Sequence, residues 1–144
     1  FIGVRAYLDA PTSLPLADQI IAHLEHEPYA YRITDKPVSD RRLTRVVPAT
    51  VATMDHDAGL ITYAQSCVIN GKKVPHLVIQ GRRGPVTILL MPEEKIEKTQ
   101  EFSGDHINGV LIPIGSGSIA IIGEEGESLQ RVEENVRNSV KWET

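Results

Sequence analysis

The sequence predicts an α+β domain: an antiparallel sheet of about five to six strands, a meander plus a hairpin, with N-terminal and C-terminal helices packed on it. Three observations carry that expectation. Apolar runs at strand length recur between residues 60 and 91, separated by Asn70-Gly71 and by Gly81-Arg82-Arg83-Gly84. Two more runs, at 110–114 and 119–122, flank Gly115-Ser116-Gly117-Ser118. Apolar stripes at helical spacing stand near both ends of the chain.

Taken in order, residues 1–14 read as an extended juxtamembrane or stalk segment, and 15–144 as one domain. Ser13 can cap a helix that carries Pro15 in its first turn, where a missing N–H costs nothing. Ala17, Ile20, Ile21 and Leu24 form its stripe, and Pro28 stops it near His26. Residues 29–38 read as a loop. Ser39-Asp40 opens a second, short helix. Leu43, Val46 and Val47 supply its buried face, Arg41, Arg42 and Arg45 the other side, and Pro48 its end. Residues 50–54 alternate as a short strand, and 55–59 turn the chain into the meander.

The meander strands are 60–69, 73–80 and 86–91. Asn-Gly suits a type I′ turn, which needs positive φ at both central residues. That turn sets the register: Ile69 opposes Lys72, Val68 opposes Lys73 and Cys67 opposes Val74. Cys67 and His76 then share one face as diagonal neighbours, about 7–8 Å apart. Pro75 has no N–H, so its donor side should face an edge or a bulge. The run VTILLM is apolar at almost every position and belongs in the middle of the sheet. Pro92-Glu93-Glu94 resembles a helix start, so 92–100 is expected as a surface helix or mobile loop. Residues 102–109 read as a turn-rich connection. The Ser-Gly turn at 115–118 lacks the lysine of a P-loop and reads as a hairpin tip. In the final helix Leu129, Val132, Val136 and Val140 form the stripe, Glu133 and Arg137 stand four apart, and Trp142 packs on the sheet.

The chain has 144 residues and a net charge of −4. Hydrophobic content of 41% and charged content of 24% are ordinary for a globular domain. Within 58–92 the only charges are Lys72, Lys73, Arg82 and Arg83, all in or beside turns. They are candidate binding cations, and also what solvated turn tips look like. A nucleic-acid surface wants a larger basic area with stacking aromatics, and aromatics are 5% here. No run of about 18 apolar residues is present. A single cysteine makes no internal disulfide and leaves the redox compartment open.

The sharpest chemical pair is Cys67 with His76. Sulfur and imidazole suit zinc, copper or haem iron, or an activated thiolate. A small core cysteine beside a hydrogen-bonded histidine is the plainer reading. Two ligands do not complete a zinc site. His23 and Glu27, four apart, are a second metal-binding pair, although His23, His26 and Glu27 also suit a helix C-terminus at the surface. Asp55, His56 and Asp57 suit a cation or a polar turn. Ser66 lacks the strand-turn-helix elbow of a hydrolase, and no paired catalytic carboxylates can be argued.

The pieces LADQIIAHLEHEP, SCVINGKKVPHLVIQGRRGPVTILLMPEE and SIAIIGEE with VEENVRNSVKW resemble a bacterial family, the domain-of-unknown-function 3379 family, in its C-terminal extracytoplasmic part. The most specific portion is Cys67, then His76, then Gly84-Pro85-Val86 leading to Leu90-Met91-Pro92. The resemblance covers most of residues 16–142. It implies a short cytoplasmic segment, one transmembrane helix and an extracytoplasmic domain, in small membrane-anchored regulators that look like anti-sigma factors. Phe1 would then sit just beyond the membrane. The expectation is a non-enzymatic sensor or interaction domain on the periplasmic side of the inner membrane. Its partner would be a protein or a small signal molecule, with no nucleic acid and no assigned cofactor. The membrane would be reached only through a segment before Phe1. The alternative is a metal-, haem- or redox-responsive module using Cys67 and His76.

Overall fold

The computed structural model describes residues 16–24, 34–48, 52–53, 59–104 and 106–142, and only the backbone of Thr53, Lys141 and Trp142. The proposed stalk, the Ser13 cap, Pro15, His26, Glu27, the 55–57 turn and the Trp142 side chain lie outside the described residues. Among the described residues three helices, α1 (Leu16–Leu24), α2 (Asp40–Val46) and α3 (Leu129–Ser139), flank the sheet. The strands are β1 (Ala52–Thr53), β2 (Ile61–Ile69), β3 (Lys72–Gln80), β4 (Pro85–Met91), β5 (Gln100–Gly104), β6 (Ile107–Ile114), β7 (Gly117–Glu124) and β8 (Lys141–Trp142).

Six strands form one antiparallel sheet in the order β2-β3-β4-β7-β6-β5. The β6–β7 hairpin thus joins the meander through β4 and extends the sheet, as the sequence predicts. β4 lies inside the sheet with every residue buried, which is what its unbroken apolar run requires. β1 and β8 pair as a separate two-stranded ribbon, Ala52 opposite Trp142.

The Asn-Gly register is as expected: Ile69 faces Lys72, Val68 faces Lys73 and Cys67 faces Val74. Asn70 and Gly71 have φ of 54° and 76°, the two positive values a type I′ turn needs. Pro75 stands on β3, between two partner strands, where a ladder donor would ordinarily be missed. The Gln80 N–H points to β2, donating to Leu60 O at 3.0 Å. By alternation the donor position of Pro75 points toward β4, and that ladder has already ended at the His76–Leu89 pair. The missing N–H therefore costs no sheet bond.

Two apolar layers cover the sheet. On one side α2, α3 and Ala52 pack on Ala64, Leu77, Ile79, Ile88, Leu90, Ile112 and Ile121. Ser39 caps α2, its Oγ accepting from the Arg42 N–H at 3.1 Å. On the other side Ile20 and Leu24 of α1 pack on Cys67, Ile69, Val74, Leu89, Met91, Leu111, Ala120 and Ile122. The final helix keeps its predicted stripe, with Val136 and Val140 buried, and Glu133 bonds Arg137 at 3.0 Å.

Two expectations are corrected and one alternative is decided. Of the helix or loop expected over 92–100, residues 92–99 form the loop, a turn and bends with Glu94 N–H on Met91 O. Ile96 is the one aliphatic residue there, and a helix needs a stripe to dock. The 102–109 connection is largely strand: β5 and the start of β6. Arg42 is not on a solvent face, since its Nε donates to Ala64 O at 2.9 Å across to β2.

Candidate functional site

The site is built where α1 crosses the meander. Alternation along β3 sends Leu77 to the α2–α3 side and His76 to the α1 side, where it is fully buried. Cys67, on the neighbouring strand and diagonal to His76, faces the same way and is 7% exposed. The predicted shared face of Cys67 and His76 is thus present. The third member comes from the helix. His23 follows buried Ile20 by three residues and precedes buried Leu24, so it flanks the stripe that docks on the sheet.

One imidazole nitrogen from each of His23 and His76 and the sulfur of Cys67 all lie within 4.8 Å of one another. Among the described residues this is the group of three histidine, cysteine or carboxylate side chains close enough to share an ion. A metal bonded at about 2.0–2.3 Å asks for donor separations of about 3.4–3.8 Å. The trio reaches that by drawing in roughly an ångström, within the reach of side-chain torsions. Three donors converging on one point suit an ion. A haem macrocycle binds by axial donors at its iron, with space for the ring.

The imidazole of His76 is held between two other rings. His23 lies edge-on at 5.7 Å between centroids and Tyr63 at 5.2 Å. Tyr63 reaches that face by plain alternation from Cys67 through Gln65, in the register that the Asn-Gly turn sets, and pairs with Val78. The irregularity lies before it: Ile61 pairs with Ile79 and faces the α2–α3 side. Sequence reasoning does not single out Tyr63, although the alternation that joins Cys67 to His76 puts it on their face. It also pairs His23 with Glu27 rather than with the sheet. The available signal was the adjacency of His23 to Ile20 and Leu24 on one helical face.

The four candidate binding cations do not converge. Lys72 and Lys73 begin β3, whereas Arg82 and Arg83 follow its end, a strand length of roughly 27 Å away. Lys72 pairs with Glu94 at 3.3 Å, and Glu94 also accepts from Asn70 Nδ2 at 2.9 Å. The Arg82 and Arg83 backbone N–H groups donate to the Glu127 carboxylate at 3.3 and 2.8 Å. Two open grooves lie elsewhere, one lined by Pro37, Val38 and Leu60, the other by Phe102, Asn108 and Gln130. Neither includes the trio. Among the described residues no helix is long and apolar enough to cross a membrane.

The fold and site define a class: an α+β domain whose one-sided helix closes over a His-Cys-His centre on an antiparallel sheet. The family profile described as "Protein of unknown function (DUF3379)" matches residues 2–140, and the chain belongs to that family. No curated protein and no solved structure matches the chain.

Proposed function

We propose that this chain is a non-enzymatic sensing domain whose responsive centre is a transition-metal site formed by His23, Cys67 and His76. One observation carries the reading: three donors from α1, β2 and β3 gather within 4.8 Å on the α1 face of the sheet. Imidazole and thiolate are ligands for zinc and copper. Two donors are fixed on the sheet and the third rides on a helix of 9 residues, shorter than a helix that is stable alone. Metal would therefore clamp α1 to the sheet, and loss of metal would loosen it. That converts occupancy into the position of α1, the first helix among the described residues. Following the family resemblance, we place the domain on the periplasmic side, joined through its N-terminus to a single-pass membrane regulator of anti-sigma type. Its output would be a protein contact.

Hydrogen exchange tests the clamp. One equivalent of Cu(I) or Zn(II) should slow exchange at the α1 amides and leave α3 unchanged. Equal exchange in α1 with and without either ion would sink the metal-sensing reading. The regulator part is tested on full-length protein, by recovering a sigma factor with it and repeating after this domain is deleted. Signalling that ignores the deletion would overturn the sensory role.

A further inference from the structure

We infer that the metal of this centre is copper, held as Cu(I); this rests on the reading that the trio binds metal. Three features of the site point to it. The first is charge. With the cysteine as thiolate, the donor set carries one negative charge, so a monovalent ion leaves the centre neutral. A divalent ion would leave a net positive charge. The apolar cluster that contains Cys67 also holds Ile20, Leu24, Val74 and Leu89, and an uncompensated charge beside it is costly.

The second feature is coordination number. Structural zinc takes four ligands, in sets such as Cys3His or Cys2His2. The donors that the described residues bring together are two nitrogens and one sulfur. A trigonal His2Cys set is a copper donor set. The third is softness. No carboxylate belongs to the trio, and one of its three donors is a cysteine sulfur. Thiolate favours Cu(I), whereas carboxylates favour harder ions. The ligands sit on separate elements, so copper would join the sheet and α1 in one step without any change at the opposite face.

The test is a competition on the reduced chain under anaerobic conditions. Cu(I) is supplied as its bicinchoninate complex, and Zn(II) as its complex with a chromogenic pyridylazo chelator. The chain should withdraw one equivalent of Cu(I) and leave Zn(II) with its chelator. Cys67→Ser should weaken Cu(I) binding at least about 100-fold and His23→Gln at least about 10-fold, losses at or above those seen for outer-shell partners. X-ray absorption on the unaltered protein should give two nitrogens and one sulfur at copper, which needs no variant to fold. Far-ultraviolet dichroism checks that each variant keeps its sheet. Withdrawal of Zn(II) in preference to Cu(I), lost in Cys67→Ser, overturns copper and leaves the metal reading standing. Retention of neither ion overturns both. Copper binding undiminished in both variants overturns this site.

Discussion

The two faces of the sheet are built to different rules. The α2–α3 side is aliphatic throughout its core, from Ala64 and Leu77 to Ile112 and Ile121, and is covered by two helices and a ribbon. The α1 side is just as buried but holds His76, Thr87 and Ser118 among its apolar residues, under one helix among the described residues. A stability argument alone would fill both faces alike, because burying polar groups costs free energy. The difference is what sets the α1 face apart as the candidate site: the buried polar side chains His76, Thr87 and Ser118 all lie there.

The largest effect should come from the first face. Leu77→Ala leaves a cavity between β3 and the helices and should cost about 2–5 kcal/mol, read by denaturant titration. The copper stoichiometry of the folded fraction should not change. Cys67→Ala, on the other side, removes one atom and should cost on the order of 1 kcal/mol while abolishing metal uptake. Equal behaviour of the two variants in both assays would erase the distinction between the faces.

Next in size is a backbone effect at the hairpin. A Cβ on Gly117 would lie 2.6 Å from Met91 O and 2.7 Å from Pro92 Cα, so main chain must move. Gly117→Ala should cost about 1–3 kcal/mol. Since Met91 faces α1, the displaced strand end should also weaken copper binding. Loss of stability with full copper affinity would separate the strand end from the centre. A smaller loss is expected for Glu127→Ala. Its carboxylate takes the Arg82 and Arg83 N–H groups at the exposed β3–β4 turn, and thermal melting should register about 0.5–1.5 kcal/mol.

Much of this was legible beforehand because local chemistry and fold agree. Asn70-Gly71 demands one turn type, that turn fixes the register, and the register alone brings Cys67 and His76 to one face. The central place of β4 follows from its unbroken apolar run. What escaped the sequence depends on tertiary context. β5, Gln-Glu-Phe-Ser-Gly, is an edge strand with mostly exposed side chains, held by backbone pairing to β6, so it shows no apolar alternation. Phe102 does announce itself structurally, by lying across Gly109 opposite it. Helical spacing predicts α1, but not which strand faces His23. The irregularity at Ile61 and Tyr63 has no glycine or proline to mark it, so the turn of Ile61 to the α2–α3 side could not be foreseen, whereas Tyr63 follows Cys67 by alternation.

The smallest expected effect sharpens the comparison most. Thr87 lies on β4 between Val78 and Ile122, fully buried on the α1 side and diagonal to His76. Its hydroxyl has no hydrogen-bond partner among the described residues. Valine has nearly the same outline without the hydroxyl. Thr87→Val should therefore leave stability unchanged or raise it by up to about 1 kcal/mol, a shift of roughly 2–4 °C in melting temperature. Copper affinity should stay within about threefold, since the trio supplies the donors itself. A tenfold or greater fall, with the melting temperature unchanged, would place Thr87 among the groups that orient a metal-bound imidazole. The polar character of this face would then extend past the three ligands into β4, and the face opposite would still have no counterpart to it.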